Sequence, residues 1–332
     1  MKLKKVLFLV MLIAIIVSFI AIIALSSAKR KEKSTDKIDV VVTNFPAYDF
    51  VRQIAGDKAN ITYLLGPGVD AHSYEPTAQD LIDIQNADIF IYVGGNMEKW
   101  ADRVLETLDV SDTKIVKLTD MVTLEAEEPI DGAEHNHGNE HNEEAHSDEH
   151  HDEEEHHEFD EHIWTSPANG IILVQNIAKI LSETDTENAK LYEKNANNYI
   201  SEIQNVQNEI NTIVQNKKRD RLVFGDKMPM QYFLKEFGLT ATAAFTGCST
   251  ETEPSAQTIA YLTKKVKEDN IPVVLYIELS TGKVANTISD ETGVEAMQIQ
   301  TLHNVSREDF ENGETYVSLM LRNLDVLERA LY

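Results

Sequence analysis

Residues 187–216 read ENAKLYEKNANNYISEIQNVQNEINTIVQN. Apolar side chains fall at Tyr192, Ala196, Tyr199, Ile203, Val206, Ile210 and Ile213, in steps of three or four with polar residues between them. No Gly or Pro interrupts the run, so it predicts one helix of about 45 Å. That is the length of a whole lobe. A rigid strut joining two lobes is expected here, rather than two shorter helices inside one domain.

On both sides of this helix, short β-branched runs alternate with amphipathic segments. Before it, strands are expected over 38–43, 61–65, 88–93 and 115–118, with helices over 46–55, 77–86, 98–108 and 167–181; Thr77 suits an N-cap. After it, strands are expected over 222–224, 240–245, 272–277 and 295–301, and helices over 230–237, 254–268, 284–292 and 314–331. Such alternation predicts parallel sheets with right-handed crossovers. The expected fold class is α/β: two lobes, each a parallel sheet flanked by helices, joined by one long strut helix. The expected division is an N-terminal signal or anchor with linker (1–37), an N-terminal lobe (38–186), the interlobe helix (187–216) and a C-terminal lobe (217–332). A chain of 332 residues with 42% hydrophobic content can fill two such cores.

Charge is concentrated in one tract. Residues 125–161 carry 17 carboxylates, and no Lys or Arg occurs between Lys117 and Lys179, so the tract supplies most of the net charge of −26. It also holds His135, His137, His141, His146, His150, His151, His156 and His157, eight of the 11 histidines in the chain. A stretch so polar buries too little apolar surface to offset its ordering entropy, which predicts a solvated, disordered loop over 125–159. An acidic spacer has no need of eight imidazoles, so a low-affinity metal-collecting role is expected. The acidic balance argues against nucleic acid or anionic lipid as the main partner. One cysteine, Cys248, excludes an intrachain disulfide and a Cys-based zinc site.

Lys2, Lys4 and Lys5 precede 20 apolar residues, 6–25, broken only by Ser18. A helix of that length spans about 30 Å, the hydrocarbon thickness of a bilayer. With no Cys after the run, an uncleaved helical anchor is expected in place of a lipid-modified cysteine, with the bulk of the chain on the extracellular face of the cytoplasmic membrane. Cleavage near Ala28, giving a secreted chain, is the alternative.

Outside the tract, three histidines remain. His72 follows the strand at 61–65 after a Gly/Pro turn, His162 lies where the long loop rejoins the fold, and His303 follows the strand at 295–301. Ligands of open α/β sheets bind beyond the carboxyl ends of the strands, so a cleft between lobes would gather all three. Asp226 and Glu278 also end expected strands and offer further oxygen donors.

At these residues the chain resembles the metal-binding receptors of zinc and manganese ABC importers. The motifs GVDAHSYEPT (68–77) and DEHIWTSP (160–167) are similar to the two motifs in which that family carries one ligand histidine each, here His72 and His162. An acidic, His-rich loop before the second motif is a further likeness, and the resemblance extends over about 38–332. It departs from the family in the C-terminal half. Where the family has a His or Glu ligand, this chain reads FGDKMP (224–229), with Asp226 the nearest usable donor. The fourth family ligand, commonly Asp, falls on His303. The resemblance therefore implies His72, His162 and His303 as ligands, with Asp226, Glu278 or a water as the fourth. Three imidazoles and one oxygen suit tetrahedral zinc better than manganese. It further implies a monomeric, non-enzymatic receptor with limited lobe movement, delivering Zn²⁺ to an ABC permease and its ATPase. A zinc hydrolase on the same three histidines, with Glu278 or Asp226 as base, and a surface metal buffer or adhesin are the competing expectations.

Overall fold

Runs of β-branched and aromatic residues become the strands of two parallel sheets. The computed structural model describes residues 37–69, 74–132, 159–247 and 253–332. The first half runs β1 (Ile38–Val42), α1 (Phe45–Ala55), β2 (Ala59–Tyr63), α2 (Ala78–Asn86), β3 (Ile89–Tyr92), α3 (Lys99–Leu105) and β4 (Lys114–Lys117). These strands pair in parallel in the order β2-β1-β3-β4. Thr77 caps α2 with a reciprocal capping box to Asp80, satisfying two otherwise orphaned N–H groups. Two helices follow, α4 (Pro167–Thr184) and α5 (Ala189–Gln215).

The second half runs β5 (Arg221–Met228), α6 (Gln231–Phe237), β6 (Thr240–Thr246), α7 (Ala256–Glu268), β7 (Val273–Ile277), α8 (Lys283–Thr292), β8 (Glu295–Ile299), α9 (Arg307–Glu311) and α10 (Tyr316–Leu331). Its sheet repeats the first order, β6-β5-β7-β8, again parallel. In each sheet the strand order reverses between the first and third strands. The loops leaving β3 and β7 therefore stand at the switch points where ligands of this architecture bind.

Helix α5 is continuous for 27 residues, about 40 Å. Its buried face is Tyr192, Ala196, Tyr199, Ile203, Val206 and Ile210, with Ile213 half-buried. It packs on α1, α4 and α10. A single apolar cluster runs from Val42 and Ile91 in the first sheet, through this face, to Phe224, Leu275 and Ile299 in the second. Asp49 reinforces it from inside. Its fully buried carboxylate accepts from Tyr199 Oη on α5, Tyr316 N on α10 (2.8 Å) and Arg52 Nη2 (2.6 Å).

Three readings of the second half change. Strand β5 does not end near Phe224 but continues to Met228 through a register shift after Phe224, so Asp226 lies within a strand and not beyond one. Helix α7 starts at Ala256, because Ser255 takes the N-cap by accepting from Thr258 N, leaving Pro254 outside the helix. The short α9, capped by Ser306, was not expected.

The ends of the His/acid tract are also held, although disorder was expected from 125 to 159. Ala126 bridges Phe159, and Asp131 bridges Thr242 at the edge of the second sheet. The tract's eight histidines, His72, Cys248 and the N-terminal apolar run lie outside the described residues. Among the described residues no helix is long and apolar enough to cross a membrane.

Candidate metal site

His162 and His303 meet between the two halves of the fold. Their ring centroids are 5.3 Å apart and the planes nearly perpendicular. The fully buried Trp164 packs against both, 5.5 Å from His162 and 5.7 Å from His303, and donates from Nε1 to Thr301 O. His162 sits at the start of a 3-10 turn and is fully buried.

The tautomer of His162 follows from its neighbours. Asp160 Oδ1 accepts from His162 N at 2.7 Å and lies 3.1 Å from Nδ1. A carboxylate accepts only, so Nδ1 carries the hydrogen and Nε2 keeps its lone pair. Nε2 is buried and has no hydrogen-bond partner. A buried polar atom without a partner costs about 1–3 kcal/mol. This one is held in place by a carboxylate behind it, the arrangement in which imidazole binds metal.

His303 is positioned by the turn after β8. Leu302 is fully buried with a φ of +62°, a left-handed conformation that costs a leucine about 1–3 kcal/mol. The turn aims two N–H groups at one carboxylate: Glu278 accepts from Thr301 N at 2.7 Å and His303 N at 3.0 Å, and also from Thr301 Oγ1 at 2.7 Å. Burial pushes the Glu278 carboxyl above its ordinary value, against the pull of these donors. Both oxygens are thus committed to bracing the loop. Asp226 accepts from Lys227 N at 2.8 Å and from Ile277 N at 3.4 Å.

Two more buried carboxylates shape the loop after β3. Glu98 accepts from Val93 N (2.6 Å) and Gly94 N (3.0 Å), and burial raises it to about 7. Glu161, beside His162, accepts from Asn96 N and from Met97 N (2.8 Å); its carboxyl is likewise raised by burial. Gly95 makes this approach possible: at φ +87° it is left-handed, and a Cβ there would run into the Glu161 side chain. Met97 Sδ lies 3.0 Å from His303 Nε2.

His72 lies outside the described residues, but the chain is fixed on both sides of it. Asn304 donates from Nδ2 to Gly66 O (3.0 Å) and Val69 O (2.6 Å), and Gly68 N donates to Val305 O. Tyr74 packs edge-on against Trp100 and donates to Asp80. Among the described residues no group of three His, Cys, Asp or Glu donors stands together. The sequence pointed to His162 and His303, which come together, but not to Asp160, Glu161, Met97 or Asn304. Asp160 had one available signal, its place two residues before His162 in the motif.

Comparison with known proteins places this geometry. The family model described as "Zinc-uptake complex component A periplasmic" matches residues 40–330. The chain belongs to this family. Among the zinc-uptake family's curated members, the zinc-binding lipoprotein AdcA of Streptococcus pneumoniae is 34% identical over 318 residues, covering 96% of this chain and 60% of AdcA. The chain thus spans 60% of that relative's length. The high-affinity zinc uptake system protein ZnuA of Bacillus subtilis is 30% identical, covering 96% of this chain and 97% of its own. Two solved structures of the fold agree. The Zn(II)-bound ZnuA-like domain of S. pneumoniae AdcA aligns with a TM-score of 0.71 at 32% identity, over 89% of this chain and 99% of that one. The metal-dependent lipoprotein YcdH of B. subtilis aligns at 0.73 and 29%, over the same shares. The family's fold, two parallel-sheet lobes flanked by helices, is the one found here.

Proposed function

We propose that this chain is an extracytoplasmic zinc receptor that delivers Zn²⁺ to an ABC-type permease and its ATPase. The observation that carries the reading is His162 Nε2: buried, unpartnered, fixed from behind by Asp160, and beside His303. Membership of the zinc-uptake family and the zinc named for its relatives support the choice of metal. In this reading His72, His162 and His303 are ligands. A water or Asp226 supplies the fourth position, and Glu278 braces the His303 loop. A hydrolytic role finds no support in Glu278, whose oxygens are already engaged by three donors. The His/acid tract acts as a low-affinity collector raising the local metal concentration. The N-terminal apolar run holds the receptor, a monomer of two lobes (38–186 and 217–332) joined through 187–216, at the outer face of the membrane.

Zinc titration of the full chain in detergent, against a competing chelator, tests this. One tight site per chain should survive deletion of residues 134–157 and vanish in His162→Ala. A tight site that leaves with the tract, or that survives His162→Ala, overturns the reading.

A further inference from the structure

His303 faces a sulfur as well as the ring of His162. Met97 Sδ lies 3.0 Å from His303 Nε2, and the Met97 backbone is not free to drift, because its N–H is held at 2.8 Å by Glu161, the residue before His162. The side chain is partly buried against the main core. One short segment, 160–162, therefore sets three things at once: the tautomer of His162 through Asp160, the place of its ring, and the loop that brings the thioether to His303. Zinc has no use for a thioether when imidazoles and a carboxylate or water are within reach. A thioether is a soft, polarisable donor, and soft donors with imidazole select Cu(I).

We propose that the same cleft takes a cuprous ion, with His162 Nε2, His303 Nε2 and Met97 Sδ as its three ligands. The proposal rests on the zinc reading insofar as both metals use His162 and His303. It parts from that reading at the other donors. Cu(I) is satisfied by three ligands, so it draws on Met97 and leaves His72 and the oxygen donor unused, whereas zinc draws on those and leaves Met97 aside. At the His303–Met97 pair the geometry needs only a small adjustment. Metal–nitrogen and metal–sulfur bonds of about 2.0 and 2.3 Å across the angle of about 120° of a three-coordinate ion put N and S about 3.7 Å apart. The pair at 3.0 Å must open by about 0.7 Å, which the three rotatable bonds of methionine supply without moving the backbone that Glu161 holds. Binding is a ligation with no change of oxidation state, and the hydrogen that His303 Nε2 directs at the thioether leaves that nitrogen for Nδ1 or solvent as the metal takes its place. In a zinc receptor this makes Cu(I) a competitor for the transport site, and Met97 the residue that decides how strong a competitor it is.

The test uses the full chain in detergent in a Cys248→Ser background, so that thioethers are the only sulfur donors. Substoichiometric Cu(I) is added anaerobically against a chromophoric Cu(I) chelator, and copper-edge X-ray absorption is recorded on the loaded protein. A sulfur scatterer at about 2.3 Å is expected. Met97→Leu should remove it and weaken Cu(I) binding by about tenfold or more, while zinc affinity changes by less than about threefold. A copper shell without sulfur overturns the proposal, as does unchanged Cu(I) affinity in Met97→Leu. Equal loss of both metals also overturns it, making Met97 a packing residue only. Zinc affinity of the unsubstituted chain is measured alongside: tight zinc with a failed copper arm sinks this inference alone, and absent tight zinc sinks the receptor reading itself.

Discussion

Asn304 donates its side-chain amide to the carbonyl of Val69 at 2.6 Å, tying the residue after His303 to the turn that leads into His72. The same side chain donates to Gly66 O and accepts from Tyr63 Oη at 2.6 Å and Val305 N at 2.7 Å. It is almost fully buried, so water cannot replace it. Asn304→Ala leaves several buried groups unpaired, each worth about 0.5–1.5 kcal/mol, and should lower metal-free stability by about 2–3 kcal/mol. If the tie also positions His72, zinc affinity falls by about tenfold. Denaturation and chelator competition on the same variant separate the two: stability lost with affinity intact would show that Asn304 only holds the fold.

Asp160 decides which nitrogen of His162 carries its hydrogen. Asp160→Ala removes the acceptor that keeps the hydrogen on Nδ1, which lets the tautomer with hydrogen on Nε2 form and blocks the lone pair a metal needs. Loss of such a partner behind a ligand histidine typically costs about 10–100-fold in metal affinity. Nitrogen-15 shifts of the ring should show the tautomer change in the metal-free protein. An unchanged tautomer together with unchanged zinc affinity would remove Asp160 from the site.

What could be read from sequence depended on the range of the interaction. The strut announced itself because one face repeats every three or four residues over a long stretch, and propensity, period and length all agreed. His162 and His303 emerged by subtraction from a histidine-rich chain. Sequence spacing alone puts Asp226 past a strand end, because Gly225 follows a short apolar run. Only pairing with the parallel neighbour β6, at Lys227 and Met228, carries β5 on to Met228. Glu161 and Met97 show why the rest was hidden. A carboxylate whose partners are backbone N–H groups 64 and 65 residues away leaves no mark on spacing or composition. Such partners exist only after the chain has folded.

The root of the His/acid tract gives a prediction in pH. Asp131 receives Ala243 N on its carbonyl at 3.0 Å, and its carboxylate is paired with Arg221 at 3.0 Å and with the Tyr261 hydroxyl. Burial pushes its carboxyl up, but the Tyr261 and Arg221 donors outweigh that and hold it below the ordinary 3.8. A depressed acid adds stability above its unfolded value and loses it as pH falls through the folded one. The stability difference between the unsubstituted chain and Asp131→Asn should therefore be constant from neutral pH to about 5 and shrink below about 4. With the side chain 44% exposed the difference is small, so urea midpoints at matched pH are the measurement. A difference that widens on acidification would contradict the ion-paired carboxylate.

Asp49 tests whether the two sheets stand or fall together. Its buried carboxylate joins α1 to α5 through Tyr199 and to α10 through Tyr316 N, with Arg52 and Gln53 as further donors from its own helix. Removing it leaves the buried Tyr199 hydroxyl and Tyr316 N–H without their acceptor, so Asp49→Ala should cost about 3–5 kcal/mol. Because the apolar cluster along α5 is continuous with both sheets, that loss should appear as one cooperative transition at a lower denaturant midpoint, followed identically by Trp164 fluorescence and far-ultraviolet circular dichroism. Two separated transitions in the variant would mean that α5 carries two cores that merely touch, and that Asp49 secures only the first.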